Sequence, residues 1–584
     1  MKTSAKIVYA TVMAGMVAAS LGLGTIQTLA EGEGGTPPSG NQGSNNGNGT
    51  PADMPSGGGQ DGMGGGANTQ TYDYSGETNG TLTADGVDVT ASEKSYSAAT
   101  ADSNTTLVKN GGTLTIDGAA LEKSGDDTNG DNCNFYGINA ISLTVGSGST
   151  TKIANSTLNA TSEGSNAIFA TNSGTAYANQ DTITTSAGNS RGLDATYGGT
   201  IIANGMNIST LGDHCATLAT DRGGGNISVT NSTLNTSGNG SPLLYSTGDI
   251  EVDHVTGTAN NSQLAGMEGL NTILIYNSTL TSTNTSKTAS DPVADGIIIY
   301  QSTSGDAENM TGSVASFQVK NSTLKSAVTS GSMFYVTNTT ANIVLSGTTL
   351  DFDSSKADLL MIEGNDANNW GTAGSNGGTV TFTGMDETLK GNIEVDTISS
   401  LDAYFLDGTM YTGTISIVTN SVNTKESVSP VTVHVSKDSS WIVTGDSTVS
   451  NLNVESGGKI VDGSGKTVTI IANGQTVIKG DSSYTVTVTG SYGTTVATDS
   501  DNTLSTTYID RTGFDTTYGT STIFGQNAAT TSTTDSSAIS STVASTATTQ
   551  AASSVNNIVY WILGIIAAVI CAGCIIVIAD KKKK

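Results

Sequence analysis

The chemically most capable side chains of this chain are concentrated between residues 189 and 245. Two of its three arginines lie there, among aspartates, tyrosines and a histidine. Aromatic rings stack on the faces of sugars, and Asp or Arg side chains hold sugar hydroxyls or uronate groups. We therefore predict a carbohydrate-binding site formed by Arg191, Asp194, Tyr197, His214, Asp221, Arg222 and Tyr245.

The same residues fit three different roles. A glycoside hydrolase would use a carboxylate pair, here Asp194 and Asp221, as acid and as nucleophile or base. A polysaccharide lyase would use an arginine as base, with Ca²⁺ on the carboxylates. An arginine that stacks on a tyrosine and pairs with an aspartate also closes a loop without any ligand. The chain has only three histidines, which counts against catalysis, and we assign no catalytic residue.

A repeated tetrapeptide predicts the strands and turns that must position these residues. NSTL begins at Asn155, Asn231, Asn277 and Asn321. Short strands at a period in the twenties, with no helical pattern between them, predict a solenoid of stacked coils. An apolar residue closes this or a related tetrapeptide in each repeat. Successive ones are 21 to 26 residues apart, except for one step of 44, which we interpret as two turns of 22. These residues are Leu158, Ile183, Ile208, Leu234, Val255, Leu280, Leu324 and Leu350.

The asparagine of NSTL predicts a corner in each coil. Asn and Gly tolerate a left-handed backbone more readily than other residues. They, or a glutamine, stand three positions before most of the aligned apolar residues. The leucine or isoleucine then points into the core. The tetrapeptide also contains the N-glycosylation pattern N-x-[ST], but its regular spacing favours the backbone role.

Counting from these corners predicts that the candidate residues share one patch. Tyr197 and Arg222 each lie 14 residues after their aligned isoleucines, so they should stack on neighbouring coils. Asp194 and Tyr245 lie at offset 11 and Asp221 at offset 13, a difference that keeps side chains on one face of a strand. His214 is predicted around a bend from them.

Composition and charge restrict the class of protein. The chain of 584 residues has 73 Gly, 9 Phe and 3 Trp, too few aromatic residues for a conventional layered enzyme of this size. Its net charge of −28 would repel nucleic acid, so we expect no nucleic-acid partner. The same charge would attract divalent cations. No cofactor is certain, and Ca²⁺ is the one the sequence allows.

Both ends of the chain have the features of an exported, anchored protein. Lys2 and Lys6 precede an uncharged run that ends near Ala30, which predicts a signal peptide, with an uncleaved anchor as the alternative. A second uncharged run precedes Asp580 and four lysines and predicts a single-pass membrane protein with a cytoplasmic C-terminus. The predicted segments are 1–30 signal peptide, 31–70 Gly/Ser/Asn-rich linker, 71–490 β-helix, 491–529 terminal cap or extension, 530–557 Ser/Thr-rich stalk, 558–579 transmembrane helix and 580–584 cytoplasmic lysine tail.

Two groups of residues leave alternatives open. Cys133 and Cys215 lie outside the predicted membrane span and allow either one disulfide or two free thiols. Tyr300, Asp306 and Glu308 are predicted in an inserted loop of the long step, which either binds Ca²⁺ or is solvated.

Two resemblances add to these predictions. Coils of this length, with Asn corners and one apolar residue per strand, resemble the right-handed parallel β-helix of the pectate-lyase-like superfamily over about 400 residues. The segment SSWIVTGDSTVSNLNVESGGKIVD, from Ser439 to Asp462, is similar to the end of autotransporter adhesin passengers, and such segments imply the closing coils of a β-helix. The residues that match are Trp441, Val443, Gly445, Ser447, Val449 and Leu452.

The sequence therefore predicts an all-β fold, a right-handed parallel β-helix solenoid with an N-terminal signal segment and one C-terminal transmembrane helix. No outer-membrane barrel follows the autotransporter-like segment, which suggests a bacterial cell with a single membrane. The predicted function is a cell-surface adhesin that binds glycans, host matrix or neighbouring cells. The alternative is a surface-anchored lyase or glycoside hydrolase that acts on acidic polysaccharide.

Overall fold

The computed structural model describes residues 71–303, 307, 314–367, 370–425, 430–522 and 524–525. All of them belong to one compact unit, Met1–Gln526. The chain winds as a parallel β-helix in which each coil adds one strand to several stacked sheets. The predicted signal peptide, linker, stalk, transmembrane helix and lysine tail lie outside the described residues. No described helix is both long and apolar enough to cross a membrane.

Two parallel sheets run through most of the described coils. Sheet A contains the strands Gly80–Asp85, Asn104–Lys109, Ser142–Val145, Ile168–Thr171, Leu193–Ala195, Leu218–Thr220, Leu244–Ser246, Ala265–Glu268, Asp295–Tyr300, Ser332–Thr337, Asp358–Ile362, Ile393–Asp396 and Ile415–Val418. Sheet B contains Asp88–Thr90, Thr113–Asp117, Thr150–Ala154, Thr175–Asn179, Gly199–Asn204, Gly225–Thr230, Asp249–Asp253, Thr272–Tyr276, Ala315–Lys320, Thr340–Ser346, Thr379–Met385, Ser400–Leu406, Val431–Val435, Asn451–Val454 and Tyr492–Gly493.

Three further sheets complete the coils. Sheet C contains Ser95–Ala98, Ala120–Lys123, Thr157–Ala160, Thr182–Thr185, Asn207–Thr210, Thr233–Thr236, Thr256–Ala259, Thr279–Ser282, Thr323–Ser326 and Thr349–Asp351. Sheet D contains Thr388–Lys390, Met410–Gly413, Ser440–Val443 and Lys459–Asp462, and sheet E contains Ser447–Val449, Thr485–Val488, Thr469–Ala472 and Gln475–Ile478. The described helices are Gly130–Tyr136, Thr512–Tyr518 and a short 3₁₀ turn at Ser500–Asn502.

The predicted corners are present. The NSTL asparagines all adopt a left-handed backbone, with φ between 47° and 53°, and Gln180 and Gly205 take the same conformation in their coils. Each corner lies between a strand of sheet B and one of sheet C. Because the following strand begins at a fixed distance from the corner, its apolar residue enters the central core, where Leu158, Ile183, Ile208 and Leu234 are fully buried.

The serine of NSTL joins one coil to the next. The hydroxyl of Ser232 accepts the amide N–H of Met206 on the preceding coil at 2.9 Å and donates to the carbonyl of Thr230 at 2.7 Å. The same two bonds are made in three other coils, by Ser156, Ser278 and Ser322. At the corner the buried amide N–H no longer takes part in the backbone hydrogen bonds of a sheet. The hydroxyl of the repeated serine therefore accepts it instead.

Two details of the predicted repeat are wrong. Gly257, and not Val255, pairs with Leu234 and Leu280, because Val255 takes the position of the NSTL serine. The step of 44 residues is a single coil, since Leu280 pairs directly with Leu324. Its extra length forms insertions on either side of the strand Asp295–Tyr300 instead of a second turn.

One coil has an aspartate, Asp181, at the serine position. Its carboxylate accepts the amide N–H of Ser156 at 2.8 Å, and its second oxygen has no hydrogen-bond partner. Burial raises the pKa of Asp181 to about 7. A folded-state pKa above the unfolded value means that this aspartate lowers stability as the pH rises from about 4 through about 7.

We expect Asp181→Ser to stabilise the protein by about 2 kcal/mol at pH 8, because serine makes the same bond to Ser156 without a buried charge. The gain should shrink at pH 5, where the carboxyl is protonated. Denaturant unfolding at both pH values measures it. The matched control is the reverse change, Ser232→Asp, which should destabilise more at pH 8 than at pH 5. A loss of stability in Asp181→Ser at pH 8 would contradict this account.

The segment after the last coil, residues 494–522 and 524–525, folds back along the outer face of sheet B; we call it the C-terminal strap. Its hydrogen bonds descend the solenoid, from Asn502 on Thr383 to the hydroxyl of Tyr518 on the carbonyl of Ile153. Outward side chains of sheet B such as Leu274 are buried because the strap covers them. This segment falls within the range predicted as a terminal cap or extension.

Arg511 makes four of the hydrogen bonds that hold the strap. Its guanidinium donates to the carbonyl and hydroxyl of Ser228, to the carbonyl of Ala203 and to the hydroxyl of Thr230, at 2.8 to 3.2 Å. The side chain is buried and its charged group lies 5.1 Å from the ring of Phe514. One charged side chain therefore links the strap to the edges of two neighbouring coils.

Candidate functional site

The candidate residues lie on the outer face of sheet A. Asp194, Ala219, Tyr245 and Gly266 occupy successive positions of one row that crosses neighbouring strands. The row continues to Ile298, which packs in a small hydrophobic cluster separate from the central core. Side chains of this row therefore point away from the core, so only insertions between coils can cover them.

Three insertions build a cleft over this row. The helix Gly130–Tyr136 lies at one end, residues 283–294 form a wall, and Trp370 closes the other end against Tyr300, with ring centroids 4.5 Å apart. The helix begins because Asn129 caps it by accepting the amide of Asn132. The cleft has a cavity volume of about 130 Å³, and side chains that line it include Arg191, His214, Asp221, Tyr245, Gln263, Asp291, Tyr300 and Trp370.

Arg191 holds two carboxylates together at the floor of the cleft. Its guanidinium lies 2.9 Å from Asp194 and 3.2 Å from Asp221, and all three side chains are buried. Burial alone would lower the pKa of Arg191, but the two carboxylates outweigh burial and raise it. Complete burial raises the pKa of Asp194, and the guanidinium opposes that rise. The guanidinium is therefore committed to its two carboxylates.

This commitment argues against the lyase role for Arg191. A base must lose its proton, and the two neighbouring carboxylates hold the proton on the guanidinium. A uronate is most simply bound by an arginine that pairs with its carboxylate. Arg191 is not available for this, because it already pairs with two carboxylates of the protein. Arg191, Asp194 and Asp221, which we call the triad, instead hold the carboxylate of Asp221 at the surface of the cleft.

A second polar network lies beside the triad. The hydroxyl of Tyr245 donates to Glu268 at 3.0 Å, and the hydroxyl of Ser302 donates to the other oxygen of this fully buried carboxylate. Burial raises the pKa of Tyr300 well above its ordinary value, and repulsion by Glu268 adds to the rise. Tyr300 therefore stays a neutral phenol in the cleft.

The structure separates the predicted residues into two groups. Arg191, His214, Asp221 and Tyr245 line the cleft, and Asp194 lies behind Arg191. Tyr197 and Arg222 are not among the residues that line the cleft. Their backbones pair on neighbouring coils as predicted, at 3.0 Å.

The side chains of Tyr197 and Arg222 are drawn away by the segment that packs over them. The ring of Tyr197 stacks on Tyr136 at 5.6 Å, and the guanidinium of Arg222 lies 3.7 Å from the centre of the Phe135 ring. Both aromatic partners come from the helix Gly130–Tyr136, which the period of the coils does not reveal.

Much of the cleft wall comes from residues that the coil pattern does not predict. Asp291 and Trp370 lie in insertions, and Tyr300, predicted in a loop, ends a strand of sheet A. Asp306 and Glu308 of the predicted calcium loop lie outside the described residues. Trp370 is one of only three tryptophans and stands in a stretch without strand pattern, a signal that could have identified it.

Both cysteines outside the predicted membrane span are free thiols, so the disulfide alternative is wrong. A second column of serine side chains also accepts amide N–H groups from coil to coil, and Cys215 occupies one position of this column. Its thiol sulfur accepts the amide N–H of Ser190 at 3.0 Å. Burial raises the pKa of Cys215 to about 12, which keeps the thiol protonated. Neither thiol is suited to nucleophilic chemistry.

Within the described part of the chain, no three Asp, Glu, His or Cys side chains converge as they would around a metal ion. Comparison with known proteins adds no assignment, since no protein-family profile, curated protein or solved structure matches the chain. The geometry of the cleft is thus the basis for any functional conclusion.

Proposed function

We propose that the protein is a glycan-binding adhesin and that the cleft on the outer face of sheet A is its binding site. The observation that supports this most is the lining of the cleft, which combines Tyr245, Tyr300 and Trp370 with polar groups such as His214 and Gln263. Aromatic surfaces beside converging hydrogen-bond groups suit a sugar, whose rings have apolar faces and polar edges.

We further propose that the solenoid is displayed on a cell surface. The uncharged runs at both ends of the sequence support secretion and a single membrane anchor. The NSTL coils and the segment Ser439–Asp462 support membership of the right-handed pectate-lyase-like superfamily with an adhesin-like end. Right-handed winding agrees with the hand that parallel β crossovers nearly always adopt.

The binding proposal is tested with a glycan array probed by the full-length chain in detergent, followed by affinity measurements on the glycans it retains. Tyr245→Ala should weaken binding about tenfold, because it removes an aromatic wall of the cleft. The matched control is Tyr404→Ala on the outer face of sheet B, where Tyr404 stacks on His434 at 4.1 Å.

The two variants separate the outcomes. Loss of affinity in Tyr245→Ala alone would support the cleft as the site. Loss in Tyr404→Ala alone would move the site to sheet B, and the absence of binding to any glycan would refute the proposed function.

A second candidate function is glycoside hydrolysis. It is favoured by one observation: Asp221 and Asp291 line the same cleft, and the pKa of Asp291 is raised well above its ordinary value by burial and by repulsion from Asp295. A carboxyl with a raised pKa beside a second carboxyl is the arrangement of a general acid and its partner. Release of reducing ends from a bound glycan, lost in Asp291→Asn, would establish this function.

A further inference from the structure

The wall of the cleft contains a buried carboxyl pair that lacks donors. Asp291 lines the cleft and is 7% exposed, and Asp295, 2% exposed, lies behind it at the start of a strand of sheet A. One oxygen of Asp291 and both oxygens of Asp295 have no hydrogen-bond partner among the described residues. Buried carboxylates are normally satisfied by donors, so three orphan oxygens in one place call for an explanation.

The next coil adds a fourth oxygen to this cluster. Ser332 pairs in register with Asp295, and its buried hydroxyl also has no partner. The wall segment itself is fixed, because the hydroxyl of Thr288 donates to the carbonyl of Asn261 and accepts the amide of Gly240. The orphan oxygens are therefore held in place from two coils instead of lying on a loose loop.

Positive charge near the pair is scarce. Among the described residues, the groups that act on Asp291 and Asp295 include the two carboxyls themselves, the exposed Lys287 and the phenols Tyr300 and Tyr335, and His214 lines the same cleft. Arg191, across the cleft, is already paired with two carboxylates. Burial raises the pKa of Asp295 well above its ordinary value, and burial together with repulsion from Asp295 does the same for Asp291, so the pair favours its protonated form when no cation is bound.

We propose that Asp291 and Asp295 form the recognition site for an ammonium group, and that the cleft therefore selects glycans that contain an amino sugar. The proposal rests on the proposed glycan-binding function and names the ligand class of that same site. An ammonium group in the cleft supplies N–H donors to the carboxyl of Asp291, and the carboxyl of Asp295 behind it adds negative charge. Tyr300 and Trp370, at the end of the same cleft, add aromatic rings that favour a cation.

Two other ligand classes fit less well. A uronate would bring a carboxylate into a cleft that already contains several and offers no uncommitted arginine. Ca²⁺ takes about six to eight oxygen ligands, whereas this cluster offers two carboxyls and one hydroxyl. The surplus of negative charge and the shortage of ligands both favour a small organic cation.

The test compares three oligosaccharides of equal length by calorimetry on the full-length chain at pH 6.5: glucosamine, N-acetylglucosamine and galacturonate hexamers. We expect the glucosamine hexamer to bind at least tenfold more tightly than the other two. Binding should release about one proton per site, seen as a heat that depends on the buffer, because the ammonium group displaces a proton from the carboxyl pair.

Variants connect this preference to the pair. Asp291→Asn and Asp295→Asn should each remove the preference for the glucosamine hexamer and the proton release. Their unfolding midpoints at pH 8 should be equal to or above that of the natural chain, since an amide replaces a carboxyl whose charged form is poorly solvated in the buried pair. Asp351→Asn changes an exposed carboxylate paired with Lys325 and serves as the control.

The outcomes are distinct for the two proposals. Equal or tighter binding of the acetylated or galacturonate hexamer would overturn the amino-sugar inference and leave glycan binding intact. Binding of Ca²⁺ alone that is lost in Asp291→Asn would assign the pair to a metal and overturn the inference as well. If no hexamer and no array glycan binds, both proposals are wrong.

Discussion

Replacing Arg191 by alanine is expected to lower the free energy of unfolding by about 4 kcal/mol at pH 8, the largest loss we predict for a single substitution. The change leaves the carboxylate of Asp194, which is fully buried, without its 2.9 Å partner, and Asp221 loses its partner at 3.2 Å. Removing one member of a buried ion pair strands the charge of the other in a medium that solvates it poorly.

The pH dependence of this loss has a definite sign. Without Arg191 the folded-state pKa of Asp194 rises further above its unfolded value. Stability is then retained at low pH, where the carboxyl is protonated, and is lost as the pH rises. The difference between Arg191→Ala and the natural chain should therefore be smaller at pH 5 than at pH 8, as measured by denaturant unfolding.

A matched exposed ion pair provides the control. Lys325 lies 3.2 Å from Asp351, and both side chains are about half exposed. Lys325→Ala should cost about 0.5 kcal/mol or less, because water replaces the lost partner. If the two alanine variants were destabilised equally, the buried triad would not have the role assigned to it here.

The second large effect concerns the C-terminal strap. Arg511→Ala should reduce the docking free energy of the strap by about 3 kcal/mol, because four hydrogen bonds from a charged donor are lost. Burial lowers the pKa of Arg511 only to about 10, so the side chain is charged at neutral pH. Amide hydrogen exchange in the strap should accelerate about a hundredfold, while exchange in the central strands stays unchanged.

The chain contains a suitable control arginine. Arg222 lies in the turn between the strands Leu218–Thr220 and Gly225–Thr230 and contacts the ring of Phe135. Arg222→Ala should leave strap exchange unchanged. Continued protection of the strap in Arg511→Ala would show that the apolar contacts of Phe514 and Phe524 hold it without the guanidinium.

The coil was predictable because its determinants are local. A left-handed corner needs Asn or Gly, and an apolar residue three positions later must face the core, so both recur in the sequence at the coil period. The misplacement of Val255 has a physical reason. Position 257 is a glycine whose added Cβ would lie 2.7 Å from Leu243, so this coil has no apolar side chain in the expected column.

The covering segments were not predictable in the same way. The strap contacts strands up to 365 residues away, and the helix Gly130–Tyr136 packs against Tyr197 from two coils earlier. Such contacts leave no periodic signal. Counting residues from the corner correctly placed Asp194 and Tyr245 in one row. The insertions between strands vary from coil to coil, and they decide which side chains of that row remain accessible.

The cleft on the outer face of sheet A is the centre of this account, and a crystal structure of the chain with the glucosamine hexamer tests it most directly. We expect a sugar ring in the cleft beside Tyr245, with its ammonium group within hydrogen-bond distance of Asp291. A hexamer bound elsewhere on the solenoid, for example along sheet B beside Tyr404, would contradict it.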